Sequence, residues 1–141
     1  MYSSDCVAGG TKMRIAFSAS MPPANVATVL ACLDVIEEDP SYVQRVHTQA
    51  AKVRNGLREM GFNCGESVTP IVPVFIGDDM KTLMTWKAMF EHGVYVNPVL
   101  PPGVPPSKSM LRTSYMATHT DAHVKIVLDA FKVVGGLMGL I

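Results

Sequence analysis

The sequence predicts an α/β fold in which a small, mostly antiparallel sheet is covered by helices. Apolar residues recur at helical spacing in four segments, and short β-branched runs bounded by proline or glycine lie between those segments. The segments follow one another in the order α-α-β-α-β-β-α, without an internal repeat. We therefore expect one domain over residues 14–141, preceded at residues 1–13 by a disordered tail or a cloning remnant.

The first two helices each carry one apolar stripe with a spacing of three or four residues. The first helix begins after Pro22-Pro23. The second is capped by Asp39, has Pro40 at its first position and ends at Gly61, which accepts the left-handed backbone conformation. In chain order, the two stripes are Val26, Val29, Leu30, Leu33 and Ile36, then Val43, Val46, Ala50, Val53, Leu57 and Met60.

The first strand is expected at residues 71–76, an apolar β-branched run that is too short for a helix. Because Pro73 has no N–H to donate to a neighbouring strand, this strand lies at a sheet edge or contains a bulge. Asp78 and Asp79 offer a cap for a third helix that stops at Gly93. The apolar stripe of this helix is Leu83, Trp86 and Phe90.

Two further strands are expected on either side of a stiff loop. A brief strand at residues 94–96 leads into an irregular loop at residues 97–106, where five prolines fix φ and remove backbone donors. The strand that follows, at residues 110–116, places Arg112 in its middle. Side chains alternate along a strand, so Arg112 shares one side with Met110, Ser114 and Met116.

A last helix closes the fold. Thr120 caps it, and Asp121 lies in its first turn, where the positive end of the helix dipole stabilises a carboxylate. Its apolar stripe precedes Gly135-Gly136 and consists of Val124, Val127, Leu128, Phe131 and Val134.

The composition excludes several classes of partner. Twelve basic and twelve acidic residues cancel without a block of like charge, which argues against binding to nucleic acid or to an anionic membrane surface. Three widely spaced cysteines without a CxxC pair argue against a disulfide framework and a zinc site. No apolar run approaches the ~20 residues that cross a bilayer, so we expect a cytoplasmic protein. A hydrophobic content of 48% with 17% charge fits an apolar face for a partner or a methionine-rich core.

Four side chains are candidates for binding. Arg112 is the most informative, because a guanidinium is costly to bury and grips a planar carboxylate through two hydrogen bonds. The alternative is an arginine at a sheet edge, paired with one of the domain's own acids. Ser18 and Ser20 precede a helix start, where hydroxyls and free amides hold a phosphate or simply cap the helix. His119 could reach a cleft or lie at the surface, and the histidine spacing predicts no metal site.

Three segments have a characteristic order and spacing: residues 17–24 (FSASMPPA), residues 69–74 (TPIVPV), and residues 97–106 with the following 112–120 (RTSYMATHT). Together they resemble the C-terminal third of the α-oxoamine synthases, pyridoxal-phosphate-dependent enzymes of the aminotransferase class I/II fold. That family includes serine palmitoyltransferase, 8-amino-7-oxononanoate synthase, 2-amino-3-ketobutyrate ligase and 5-aminolevulinate synthase. The resemblance covers roughly residues 17–141 and implies the small domain of PLP fold type I.

The resemblance implies a decarboxylating condensation of an amino acid with an acyl-CoA, in which pyridoxal 5'-phosphate stores the carbanion electrons. It implies that Arg112 holds the amino-acid carboxylate. It also implies that Ser18, with Ser20 in reserve, reaches the cofactor phosphate of the neighbouring subunit in a homodimer. The loop from Pro98 to Pro106 resembles a segment near the substrate entrance. No residue of the chain is assigned a catalytic role by the resemblance, and no metal is implied.

By the same resemblance, the Schiff-base lysine belongs to a large domain ahead of residue 17, and only sixteen residues stand there. We therefore expect the isolated chain to be inactive without covalently bound cofactor, and its partner to be that large domain. One alternative is a stand-alone module that binds carboxylates or dimerises. Another is the small domain of an aminotransferase, in which an arginine also meets an α-carboxylate. The sequence does not choose the amino acid or the acyl chain.

Overall fold

The computed structural model describes residues 6–8, 11–13 and 21–141. The chain falls into two compact units, residues 1–39 and 40–141. In the first unit, strands β1 (Cys6–Ala8) and β2 (Thr11–Met13) pair antiparallel. They fall within the segment for which the sequence predicts a disordered tail. The expected domain boundary at residue 14 lies outside the described residues and stays a prediction.

Helix α1 (Pro23–Glu38) completes the first unit. It begins directly after Pro22, as predicted, and Pro23 at its first position has the fixed φ that suits a helix start. None of its residues is buried, although the apolar stripe predicted from the sequence is present. The periodicity therefore predicted the helix correctly but does not by itself say what the stripe contacts.

The second unit opens with helix α2 (Ser41–Glu59). Its N-cap residue is Pro40, one residue after the predicted Asp39, and the Pro40 carbonyl accepts a hydrogen bond from the Gln44 N–H. The predicted cap is therefore wrong by one residue. Gly61 follows the helix with φ of 98°, as predicted, and the N–H groups of the next residues close its last turn.

Three strands form the sheet of this unit: β3 (Ile71–Gly77), β4 (Asn97–Val99) and β5 (Ser109–Ser114). Their spatial order is β3-β5-β4, and both pairings are antiparallel. β3 is thus an edge strand, and its register shifts between Phe75 and Gly77, so Pro73 lies in a strand that is both at the edge and irregular. The predicted small antiparallel sheet is confirmed.

The strand predicted at residues 94–96 is wrong, because pairing begins only at Asn97. Val94 instead donates its N–H to the Met89 carbonyl and closes the preceding helix. The first three residues of the predicted loop form β4, and Pro98 is tolerated there because β4 is the other edge strand. The proline-rich loop is correspondingly shorter and joins β4 to β5.

Helix α3 (Asp79–Glu91) is capped as predicted, with the Asp78 carboxylate accepting from the Lys81 N–H at 2.6 Å. Its buried face is Thr82, Thr85 and Met89, so the predicted stripe is wrong: Leu83 and Trp86 are half-buried, and Phe90 is 61% exposed. The threonine hydroxyls donate to the carbonyls of Asp78 and Lys81, which satisfies them inside the core. A count of apolar residues alone misses such buried hydroxyls.

Helix α4 (Asp121–Leu137) has the predicted cap: Thr120 accepts from the His123 N–H, and the His123 ring accepts from the Thr120 N–H. The helix does not stop at Gly135-Gly136, because neither glycine has a positive φ. Gly135 instead lies against Phe62, where a Cβ would have no room. It continues to Leu137, and Gly139 has φ of 59°.

One apolar core holds the second unit together. α2 and α3 contact the sheet, and α4 packs against both helices. The Phe62 and Phe131 rings meet edge to face at 5.5 Å between centroids. The largest fully buried side chains are Phe131, Leu57, Met89 and Leu111. Within residues 40–141, the strand residues Val72, Val74 and Leu111 are buried in this core, whereas Arg112 and Ser114, on the other side of the sheet, are exposed.

Candidate functional site

Arg112 lies in the middle of β5, the central strand, on the side of the sheet that the helices leave open. Burial alternates along the strand: Leu111 and Thr113 are buried, whereas Arg112 and Ser114 are exposed. The predicted alternation is confirmed, and it presents the guanidinium outward. The backbone beneath it is paired on both sides, which fixes the base of this long side chain.

The two residues directly opposite Arg112 are Asn97 in β4 and Pro73 in β3. Directly opposed residues have Cβ atoms roughly 4.5–5.5 Å apart, so both side chains flank the arginine stem. Pro73 gives an apolar wall, and Asn97 adds an amide that can donate and accept hydrogen bonds. The pairing of Asn97 with Arg112 was not predicted, because the sequence alone placed this residue in a loop. Only the register reveals the pair.

Among residues 21–141, no acidic side chain forms an ion pair with Arg112. The alternative of an arginine held by one of the domain's own acids finds no support in that part of the chain. An exposed guanidinium with five N–H donors on a fixed strand suits an incoming planar carboxylate.

The proline-rich loop, residues 100–108, links the two strands that carry Asn97 and Arg112. It contains a cis peptide bond between Pro101 and Pro102 and is closed by two backbone hydrogen bonds, Gly103 to Leu100 and Lys108 to Pro105. The predicted ordered but irregular loop is therefore found. It lies at one end of the arginine-bearing strand.

The other predicted site residues divide into two groups. Ser18 and Ser20 lie outside the described residues, so their expected contact with a cofactor phosphate stays a prediction. His119 lies beyond the opposite end of β5, in a cleft of about 650 Å³.

No cluster of three potential metal ligands occurs within the described ranges. No helix in that part of the chain is long and apolar enough to span a membrane.

A hydrogen-bonded tyrosine lies beneath that cleft. The Tyr115 hydroxyl donates to Thr113 Oγ1, which in turn donates to the Val72 carbonyl, both at 2.9 Å. Burial raises the pKa of Tyr115 to about 12, against the opposing effect of the Thr113 hydrogen bond. Burial also raises the pKa of the nearby Cys64 thiol, although Arg58 and Arg54 act in the other direction. Both groups stay neutral at physiological pH.

A polar contact fixes the start of α4 on α2. The Asp121 carboxylate accepts from Lys52 at 2.5 Å and from Gln49 at 3.3 Å. The hydrogen bond from Lys52, with that from Gln49, lowers the pKa of Asp121 below its ordinary value. Because both side chains are exposed, this ion pair adds little to overall stability.

Comparison with known proteins identifies the family. The family Aminotransferase class I and II matches residues 8–131. The chain is 49% identical over 115 residues to a serine palmitoyltransferase of Bacteriovorax stolpii. The aligned region covers 82% of this chain and 27% of that protein. It is 35% identical to an 8-amino-7-oxononanoate synthase of Symbiobacterium thermophilum, covering 89% of this chain and 32% of that one.

A solved structure gives the same answer for the fold. A variant of serine palmitoyltransferase from S. paucimobilis, with a bound PLP–myriocin aldimine, superposes with a TM-score of 0.79 at 34% identity. The match covers 89% of this chain and 32% of that one. The chain thus spans about a third of the length of the relatives it matches. It belongs to the aminotransferase class I and II family and, within that family, to the α-oxoamine synthases.

Proposed function

We propose that this chain is the part of a PLP-dependent acyl-CoA:amino acid C-acyltransferase that binds the carboxylate of the amino-acid substrate. The observation that carries the proposal is the exposed guanidinium of Arg112, fixed on the central strand without an acidic partner among residues 21–141. The relatives support the reaction class, because their names describe acyl transfer and oxoamine synthesis.

Arg112 binds and orients in this proposal. Two parallel N–H···O hydrogen bonds from a fork of fixed geometry hold a carboxylate in one plane, which sets the direction of the bonds at the adjacent Cα. The stem of Arg112 is confined between Pro73 and Asn97, so the guanidinium reaches outward from a defined origin. Bound pyridoxal phosphate would supply the electron sink for loss of carbon dioxide and carbon–carbon bond formation.

The described residues would bind the substrate rather than hold the cofactor. Arg112 offers donors for a carboxylate, while the expected phosphate contacts, Ser18 and Ser20, lie outside the described part. The homodimer, the cytoplasmic location and these two serine contacts therefore remain predictions. So does the absence of a covalent cofactor in the isolated chain.

A chimera tests the proposal. The matching segment of the B. stolpii serine palmitoyltransferase is replaced by this chain, and release of CoA thiol from palmitoyl-CoA with L-serine is followed. We expect Arg112→Ala to lower kcat/KM for the amino acid by roughly 10- to 150-fold, the equivalent of ~1.5–3 kcal/mol for a charged hydrogen bond. Arg112→Lys keeps the charge but loses the fork, and it should recover only part of the loss.

Lys132→Ala is the matched control, because it removes one positive charge from an exposed position on α4. The kcat/KM of the chimera with Lys132→Ala should stay within about twofold of that of the chimera with the unchanged chain. If Arg112→Ala weakened cofactor binding as much as amino-acid binding, its carboxylate role would be wrong. Amino-group transfer without thiol release would favour an aminotransferase.

The chain alone gives a second test. Mixed with pyridoxal phosphate and reduced with borohydride, it should show by mass spectrometry only concentration-dependent labelling of exposed lysines and no saturable adduct at one lysine. Such an adduct would show that a competent cofactor lysine lies within these 141 residues. The division of labour proposed above would then be wrong.

A further inference from the structure

The row of the sheet that contains Arg112 has one hydrogen-bonding side chain besides the guanidinium. Arg112 is opposed by Asn97 on β4 and by Pro73 on β3. Directly opposed residues point to the same side of an antiparallel sheet, so all three side chains project away from the core. Ser114, the other polar residue on this side of β5, is two residues along the strand and therefore roughly 6–7 Å away. Within the sheet, the Asn97 amide is thus the nearest polar group to the guanidinium.

Two prolines leave the free space beside the arginine stem on the Asn97 side. Pro98, opposite Leu111, and Pro73, opposite Arg112, have no N–H to donate. Neither can belong to a hydrogen-bonded pair, so the alternation of the antiparallel ladder makes Asn97 and Arg112 a hydrogen-bonded pair. Such pairs have Cα atoms about 5.5 Å apart, against about 4.5 Å for the other kind. Pro73 is therefore the closer wall, and the stem has more room towards Asn97.

The amide of Asn97 and the guanidinium of Arg112 are available to each other. Among residues 21–141, no other side chain or carbonyl hydrogen-bonds to the amide, and no acid pairs with the guanidinium. Arg112 is exposed and Asn97 is half-buried, so the guanidinium can turn about its own side-chain bonds while the amide stays near the sheet. The amide oxygen ends one atom short of the level of Nε, and the two terminal nitrogens lie further out. Of the guanidinium N–H groups, the one on Nε is therefore the easiest for the Asn97 oxygen to reach.

We propose that Asn97 positions Arg112 by accepting its Nε–H, which leaves the two terminal nitrogens to hold the substrate carboxylate. A guanidinium grips a carboxylate either through Nε and one terminal nitrogen or through both terminal nitrogens. The two modes bring the carboxylate to different edges of the guanidinium, so they place the adjacent Cα in different directions. An Nε–H that is already bonded to Asn97 permits only the second mode. The inference rests on the proposed function for the identity of the ligand.

A double-mutant cycle in the chimera tests whether Asn97 acts through Arg112. Asn97→Leu keeps the size of the side chain and loses the acceptor, so it should lower kcat/KM for the amino acid about three- to tenfold. On the Arg112→Ala background the same change should cost less than about twofold, because no guanidinium is left to position. An equal loss on both backgrounds would show that Asn97 acts without Arg112 and would overturn the proposal.

The division of the effect between kcat and KM separates positioning from support of the fold. Asn97→Leu frees the Nε–H and admits the unproductive mode, so kcat should fall while KM stays within about twofold. Asn97→Asp has nearly the same shape but places a carboxylate beside Arg112, where it competes with the substrate. It should raise KM for the amino acid by at least about tenfold. An equal rise of KM in both variants would mean that residue 97 only supports the strand, and it would refute the positioning role.

Two further variants serve as controls. Asn55 is an exposed asparagine on α2, and Asn55→Asp introduces the same charge as Asn97→Asp. It should leave kcat and KM within about twofold, and an effect equal to that of Asn97→Asp would reduce the result to net charge and overturn the proposal. Asn97→Gln keeps the acceptor on a longer stem and should recover kcat to within about threefold. A kcat as low as that of Asn97→Leu would count against the acceptor.

The purified chain tests the contact without catalysis. The carboxyl that Asn97→Asp introduces is titrated by carbon NMR in that variant and in the double variant Asn97→Asp/Arg112→Gln. Its pKa should be lower by at least about one pH unit in the single variant, because an adjacent guanidinium favours the charged carboxylate. Equal pKa values would show that the guanidinium does not reach residue 97 and would overturn the proposal.

Failure of this inference can be told from failure of the proposed function. If Arg112→Ala lowers kcat/KM as expected while Asn97→Leu changes neither kcat nor KM, the proposed function stands and the inference fails. If the chimera releases no CoA thiol and yet the two pKa values differ, the proposed function fails, and the pairing of residue 97 with the guanidinium stands.

Discussion

The two faces of β5 have opposite relations to the rest of the protein. Leu111 is completely buried against the helices, and its neighbour Arg112 points to the open side. Thr113 and Ser114 repeat the same contrast one step further along. Alternation within one strand thus separates the residues that hold the sheet to its helices from those available to a ligand. Changes on the helix-covered face should act on stability, and changes on the open face should act on binding.

The largest expected effect comes from the adjacent pair Leu111 and Arg112. Leu111→Ala removes a fully buried side chain from the central strand and should lower the free energy of unfolding by about 2–5 kcal/mol. Arg112→Ala removes an exposed side chain and should change the free energy of unfolding by less than about 0.5 kcal/mol. Urea unfolding followed by circular dichroism measures both. A large loss of stability in Arg112→Ala would mean that the guanidinium is part of the protein's own structure.

Two adjacent glycines in α4 sharpen the same comparison. A Cβ at Gly135 would lie 2.4 Å from the Phe62 ring, whereas one at Gly136 meets nothing within 4 Å. Gly135→Ala should therefore cost about 1–3 kcal/mol by overpacking, although alanine favours a helix. Gly136→Ala should stabilise by up to about 1 kcal/mol, since only the helix preference changes. Thermal unfolding of the two variants should shift in opposite directions, and equal shifts would contradict the close contact with Phe62.

β5 and α4 could be predicted, because in both elements the residues that the local pattern marks as core are the ones that the tertiary structure buries. The alternation that placed Arg112 and the Thr120 cap both appear in the structure. α3 was misjudged because its buried face uses Thr82 and Thr85, whose hydroxyls are satisfied by backbone carbonyls four residues earlier. Hydropathy cannot distinguish such a threonine from an exposed one.

The surroundings of the two sites depend on register, which a single sequence does not specify. Asn97 was assigned to a loop, and only its pairing with Arg112 shows that the two side chains are neighbours. The cleft depends on where β4 and β5 stop pairing, and its walls come from segments about twenty residues apart. The aromatic and histidine residues near residue 119 were the available signal. They did not reveal a cavity without the path of residues 93–96.

The smallest expected effect is a pH dependence at the end of the buried row. Tyr115 follows Leu111 and Thr113 on the same face, and burial raises its pKa from 10 to about 12. Between these values the unfolded chain releases the phenol proton more readily than the folded one. Stability should be unaffected by this group below pH 10 and should fall as the pH rises towards 12. At pH 11 the loss should be roughly 1.4 kcal/mol.

Tyr115→Phe removes that titration while keeping the ring, so the stability of this variant should fall less steeply between pH 10 and 11 than that of the parent chain. Tyr95→Phe is the matched control, because Tyr95 is 71% exposed on the opposite wall of the cleft. Urea midpoints measured at pH 9, 10 and 11 give both slopes. If Tyr95→Phe flattened the profile as much as Tyr115→Phe, the burial of Tyr115 would not be the cause of the pH dependence.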